Sequence, residues 1–492
     1  MKLIKLLEVE LKKIFKHKSI YIVWTLMLTF CLLNNILYFT DYDEEGNYKY
    51  KEIENLDDEI NELNKELTKY DVNNQNQITM YVTIKTKLDI LNLKKEFSHN
   101  SWQYKKINDY IYDTIYQINN YKYNKINEIM VKKLNNDYLE IVDKLKLNDY
   151  RYFLSIEITK KNDIINKLLE EYNNVKDEKI KVELNEQIED EKFKLKNLNY
   201  RLNNNIKEDN SYLNNALEKY QENYKTVEFY KKLKTKKTHQ DKLIYMNAIK
   251  ETKMSEYIIE NKQNINKENN LNYQLRTIVD DYEIFIVILI LIVCSTIICG
   301  EFKDGTIKLL LIKPYSRCKI LLSKYLTSII VILISILLLI ITQFILGMLM
   351  FGLESLNMPV LVFDFNKMDL VCYNVFLYMI IRIIAKMPFL LILITITCFI
   401  AVVTCNILVS ITMPLMLYMF TPSLVYFIKE YKLEVLKYLV NINWNIEYYL
   451  FGMISEVSFI NLEFSLLILG IYFISLIVIM FVIFKKKDIK NI

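Results

Sequence analysis

The stretch EIFIVILILIVCSTIICGEFKDGTIKLLLIKPYSRCKILLSKYL, Glu283 to Leu326, runs from an apolar block through a basic insert to the threshold of a second apolar block. Spanning a bilayer as a helix takes about 20 predominantly apolar residues, because hydrocarbon leaves no unpaired backbone group satisfied. The run at about 283–300 meets that requirement, and so do runs at about 20–39, 326–350, 386–404, 407–427 and 465–484. The expected fold class is therefore an all-α membrane protein: six transmembrane helices, with a large helical, coiled-coil extracellular insert between spans one and two.

The net charge of +5 says little when averaged over 492 residues. Its distribution says more. Lys2, Lys5, Lys12, Lys13, Lys16 and Lys18 precede the first span. Lys303, Lys308, Lys313, Arg317, Lys319 and Lys324 follow the second, against only Glu301 and Asp304, and Lys485, Lys486, Lys487 and Lys490 follow the last. Lysine-rich short loops stay on the cytoplasmic side, so both termini and the 301–325 loop are expected in the cytoplasm of a plasma membrane, and the Asn, Ile, Lys and Tyr bias suits an AT-rich bacterial genome. The first span is too long for a signal-peptide h-region and no small-x-small cleavage site follows Asn34-Asn35, so it is expected to remain as an anchor.

The 351–385 and 428–463 segments lean acidic and are placed outside, the second as a helical stretch before the last span. Residues 371–387 resist this scheme. Arg382 and Lys386 interrupt their apolar run, and a charge at the bilayer centre costs about 2.5–3.5 kcal/mol on insertion scales. The expectation is a segment lying along the outer interface, with the fourth span starting near Lys386.

Residues 1–19 place Ile4, Leu7, Leu11 and Ile14 at gaps of three and four with lysines opposite, as in an interfacial amphipathic helix. From 40 to 282 the composition shifts to Asn, Lys, Glu, Ile and Tyr, with one glycine and no proline. Ile53, Leu56, Ile60, Leu63, Leu67 and Tyr70 follow a heptad seam, and Leu184, Ile188, Leu195, Leu198 and Leu202 repeat it with Glu191 at one seam position. Turns are expected at Asn73-Asn74, Asn119-Asn120, Asn135-Asn136, Asn203 to Asn205 and Asn269-Asn270. Two long helices going out and back would stand on the order of 100 Å above the bilayer; a solvated, partly disordered loop is the other reading.

Catalytic chemistry finds little purchase. His17, His99 and His239 are far apart, none of the seven cysteines lies between spans one and two, and no Cys or His cluster has metal-ligand spacing. Gly300-x4-Gly305 is followed by Thr306 rather than by Lys-Ser/Thr, and an apolar run rather than a short strand precedes it, so it is no phosphate-binding P-loop. No carboxylate or histidine chain crosses the membrane, which argues against an ion relay. Gln343, alone in the third span, is expected to hydrogen-bond a neighbouring helix.

In the 301–325 loop, Glu301 and Gly305-Thr306 close the second span and an amphipathic turn, Ile307 to Ile312, follows. Lys313-Pro314 stops it, and Ser316 is set to cap a helix from Arg317 through Lys324 into the third span. The pattern Glu301-x3-Gly305-Thr306, aliphatic run, Pro314-x-Ser316-Arg317 and Lys324 resembles the signature of ABC-2 type transporter permeases, the membrane subunits of ATP-driven exporters. The resemblance implies that this segment is a coupling helix docking on a separate P-loop ATPase. Glu301, Gly305, Thr306, Leu309, Pro314, Ser316, Arg317 and Lys324 would then be the partner-binding residues. It also implies a second permease chain, identical or not, with ATP and magnesium bound by the partner and no cofactor on this chain. The insert of roughly 240 residues departs from the usual family pattern and leaves open a second reading, a membrane-anchored coiled-coil receptor or secretion scaffold with an extracellular partner. No nucleic-acid partner and no enzymatic activity of its own are expected.

Overall fold

The computed structural model describes residues 2–42, 56–72, 74–99, 101–125, 127–233, 238–265, 267–306 and 315–487. Six of its helices are long and apolar enough to cross a membrane. Helix α1 (Lys2–Ile14) precedes the first of them, α2 (Lys18–Asp41). After the insert, α11 (Leu271–Asp281) leads into α12 (Glu283–Lys303), followed by α13 (Arg317–Phe351), α14 (Val375–Thr404), α15 (Ile407–Tyr431) and α16 (Leu462–Lys486). Five of the six spans fall on the expected runs.

The fourth begins earlier than expected. Helix α14 starts at Val375, capped by Asn374, and carries both Arg382 and Lys386 within it. At 1.5 Å per residue its 30 residues make about 45 Å, longer than a hydrocarbon core of about 30 Å. The extra turns are helical because Val375 and Met379 pack into the core while the two cations find carboxylates on other elements. The segment before it is not a plain loop. Strands β1 (Val360–Asp364) and β2 (Asp369–Tyr373) form an antiparallel hairpin, so the fold departs from all-α here. Of the expected helical stretch 428–463, residues 428–431 are the end of α15 and 462–463 the start of α16; between them the chain is helical only in short turns, 434–438, 440–443 and 446–452, with Val440 and Trp444 buried against the bundle.

The chain forms two compact units, 1–42 with 223–257 and 265–492, and 43–222 with 258–264. In the first, α12 sits at the centre: thirteen of its 21 residues are buried, including Val287, Ile290, Val293 and Cys294. Helix α15 is the reverse, with Leu408, Met416, Met419 and Phe420 exposed, as a lipid-facing helix should be. Gly347 lets α13 close on α11, since a Cβ there would sit 2.6 Å from Leu271 Cδ1.

The second unit is a set of antiparallel helices rather than one long hairpin. Helices α4 (Ile78–Lys94), α5 (Trp102–Tyr123), α6 (Glu128–Lys146) and α7 (Tyr150–Asn174) share a core of Ile90, Trp102, Ile107, Ile111, Leu145, Phe153 and Leu154. Helix α8 (Glu178–Asn204) returns along α7 through the second heptad seam, with Leu184 and Ile188 buried and Leu198 and Leu202 against that core. Glu191, at its polar seam position, accepts from Lys161 at 2.6 Å across the pair. The first seam survives only in α3 (Leu56–Leu67), where Ile60 is buried; Ile53 lies outside the described residues.

Turns at Asn203 to Asn205 and Asn269-Asn270 stand as expected, with Asn205 left-handed and Asn270 capping α11. Asn119-Asn120 and Asn135-Asn136 instead lie inside α5 and α6. Asn119 is tolerated because its amide donates to Thr86 Oγ1 and Asp89 Oδ2 of α4. Asn73 lies outside the described residues.

Candidate functional site

Connectivity and contacts bring the start of α2 and α13 and the end of α12, α14 and α16 to one end of the bundle. Charges gather there. Of the expected α1 face, Ile14 is buried and Leu11 packs against the core, but Ile4 is 69% exposed, and Leu6 and Glu10 are buried beside them. A glutamate occupies the buried face because it meets a lysine. Lys324 Nζ, on a side chain 1% exposed, lies 3.0 Å from Glu10 Oε2, 2.8 Å from Glu301 Oε2 and 3.0 Å from the carbonyl of Ile297. The contact to Glu301 Oε2 is an ion pair whose angle falls outside hydrogen-bond geometry. Lys13 Nζ completes the set, 2.6 Å from Glu301 Oε1 and 3.4 Å from Glu10 Oε1. Burial acts to lower the Lys13 pKa, but the bond to Glu301 and the two carboxylate charges outweigh it and hold it above its ordinary value.

These four side chains are neutral as a set and join three elements: α1, the last turn of α12 and the second turn of α13. Glu301 and Lys324 thus come together as expected of one site, but buried rather than in a surface ring. Ser316 caps α13 by accepting from Lys319 N. Arg317 Nη1 donates to the carbonyls of Lys485 and Lys487, at 3.1 and 2.8 Å, where α16 ends. Lys487 in turn donates to the carbonyls of Val402 and Val403 at the end of α14. Cations on orphan carbonyls complement the negative end of each helix. Gly305 takes φ +65° with open space around it, and Thr306 is exposed. Leu309 and Pro314, with the Ile307 to Ile312 turn, lie outside the described residues.

Two further clusters lie deeper. Gln343 is fully buried and its carbonyl accepts from Cys31 Sγ, Asn35 Nδ2 and Tyr282 OH, while its amide donates to Gln274 and Asn35. The expected neighbour contact is thus a hub joining α2, α11, α13 and Tyr282 at the α11–α12 junction. At the opposite end of the bundle, Lys386 Nζ is 2.6 Å from Glu283 and 3.3 Å from Glu447, and Arg382 pairs with Asp280 at 2.8 Å and with Glu447. Glu10, Lys13, Asn35 and the acids around Arg382 were not singled out by the sequence. The signal available for the acids was the pair of cations interrupting an apolar run, which demands partners.

Six apolar helices with charge confined to the two ends define a polytopic helical membrane protein. The family described as "Protein of unknown function (DUF2705)" matches residues 240–490, just over half the chain, and the chain belongs to that family. Among individual proteins, the chain is 28% identical over 201 residues to the Bacillus subtilis (strain 168) "Uncharacterized protein YhcI", 41% of this chain and 64% of the relative. The chain therefore spans less than two thirds of that relative's length. No solved structure matches.

Proposed function

We propose that the chain is the permease subunit of an ATP-driven exporter of the ABC-2 type, worked by a separate P-loop ATPase and paired with a second permease chain. In this reading the lysine-rich end faces the cytoplasm of a bacterial plasma membrane and the helical insert lies outside. The observation that carries it is the buried quartet of Glu10, Lys13, Glu301 and Lys324. It fixes the ends of α12 and α13 that flank residues 304–316 to each other and to α1. A partner that pushes on this end then moves α1, α12 and α13 as one piece, because separating them would leave charges unpaired in a low-dielectric setting. Such a rigid lever passes movement from a motor to a membrane bundle with two arrangements. Arg317 and Lys487 extend the linkage to α16 and α14.

The test is gentle purification of the tagged chain from its native membrane. A P-loop ATPase of about 25–35 kDa, the size of one nucleotide-binding domain with extensions, is the expected companion. Substituting Gly305 or Arg317 should lower the companion's recovery while leaving membrane levels unchanged; a chain that purifies without any ATPase contradicts the proposal. The insert, with a hydrophobic core of its own, supports a second reading as an external binding module. That reading expects an external partner and a dispensable 304–316 loop.

A further inference from the structure

The end of the bundle opposite the Glu10–Lys324 quartet holds a vestibule of about 520 Å³. Its walls are aromatic and aliphatic, among them Met254, Phe363, Tyr448 and Phe451, and its floor is the ion network of Arg382, Lys386, Asp280, Glu283 and Glu447. Two of those floor residues, Glu283 and Lys386, also line a second, narrow cavity of about 40 Å³ between α11, α12, α13 and α14. Apart from them and Tyr282, that cavity is wholly aliphatic, with Ile286, Ile336, Leu339, Ile340, Ile383 and Leu390.

The narrow cavity is the deep point of a groove that opens sideways. Ile336, Ile340 and Ile383 are only half-buried, and the residues beside them, Leu337, Ile341, Ile380 and Ile384, are 48–64% exposed on apolar helices. The polar vestibule and the apolar groove are thus joined at the Lys386–Glu283 pair. Ionisable side chains within a membrane helix mark ligand or ion paths, and here their partners are named. The vestibule offers both signs of charge side by side, two cations and three carboxylates, with Lys250 also at its wall. A ligand carrying one charge would leave the others repelled; one carrying both can exchange with the existing pairs charge for charge.

From this we infer that the vestibule and groove together bind an amphiphile with a zwitterionic, phosphate-and-amine head group and a single acyl chain in the groove. The phosphate faces Arg382 and Lys386, and the amine faces Asp280 and Glu283. Binding stands on this geometry alone; that the amphiphile is cargo rather than a resident lipid rests on the transport reading.

Native mass spectrometry of the full, delipidated chain tests it with three probes: palmitoyl lysophosphatidylethanolamine, monopalmitoylglycerol and glycerophosphoethanolamine. One lysophospholipid is expected to bind at least tenfold more tightly than either the chain without the charged head or the head without the chain. Ile340→Trp, which fills the groove, and the charge-balanced double variant Arg382→Gln/Asp280→Asn should each weaken it at least tenfold, with elution on size exclusion unchanged. Equal binding of the lysophospholipid and monopalmitoylglycerol overturns the head-group assignment. Equal binding of the lysophospholipid and the free head group overturns the groove, and indifference to both variants overturns the site. Loss of ATPase co-purification with binding intact would sink the transport reading and leave this one standing.

Discussion

Replacing Lys324 with methionine keeps the length and packing of a side chain that is 1% exposed and removes its charge. Glu10 and Glu301, 3% and 9% exposed at their side chains, then share only Lys13, whose own side chain is 43% exposed and turned partly to water. One carboxylate is left buried without a counter-ion. Breaking a buried pair on one side costs about 3–5 kcal/mol, whereas replacing the whole set by well-packed neutral residues is near neutral. At about 2–4 °C per kcal/mol for a domain of 150–250 residues, the midpoint of thermal unfolding should fall on the order of 10 °C. Lys13→Met, at the half-exposed corner, should cost only about 0–1 kcal/mol, the range of exposed pairs. The assay is thermal unfolding of the purified chain in one detergent at fixed pH and salt, comparing Lys324→Met, Lys13→Met and the triple variant Lys324→Met/Glu10→Gln/Glu301→Gln. The triple variant should regain most of what Lys324→Met loses. Should Lys13→Met prove as damaging as Lys324→Met, or the triple variant prove worse than the single, the quartet is not held together by charge compensation at Lys324.

Other positions give independent expectations. Asp281, half-buried at the end of α11, has its pKa raised mainly by burial, with the charges of Asp280 and Glu268 adding to it against the bond from Thr277. The folded chain therefore holds that proton more tightly than the unfolded one, so stability is lost as pH rises above the unfolded aspartate value of about 3.9. Asp281→Asn should raise the unfolding midpoint at pH 7 and leave it unchanged near pH 4. Gln343→Leu removes the donor from which Asn35 Oδ1 and Gln274 Oε1 accept and should cost about 1–3 kcal/mol, the desolvation penalty of unsatisfied groups. Gly452 combines φ +82° with an Asn366 side chain 2.4 Å from where a Cβ would sit. Gly452→Ala should destabilise by about 1–3 kcal/mol from backbone strain, with Asn366→Ala relieving only the contact.

The six apolar helices were legible because length and apolar content are the whole requirement for crossing hydrocarbon, and the Ser316 cap and the Asn269-Asn270 turn were legible because cap and turn chemistry is local. The start of α14 was not, since hydropathy counts Arg382 and Lys386 as costs and has no means of knowing that Asp280, Glu283 and Glu447 neutralise them from sequence-distant elements. The burial of Glu10 on α1 was not legible for the same reason: Glu10 reads as solvent-facing until Lys324, more than three hundred residues away, is placed opposite it. Asn119 illustrates the converse, a turn-forming residue held mid-helix by a polar partner on α4. Periodicity found the seam of α8, though not that α7 is its partner, and missed the α4–α7 core, where each helix buries residues against more than one neighbour.

The sidedness of the membrane underlies the lever and the export reading alike, and two native thiols report it. Cys318 is exposed beside Arg317 at the lysine-rich end, and Cys372 is exposed on β2. Intact cells treated with a membrane-impermeant maleimide, followed by peptide mass mapping, should show Cys372 modified and Cys318 untouched until the membrane is opened. Modification of Cys318 in sealed cells, with Cys372 protected, would place the lysine-rich loop outside and contradict the account.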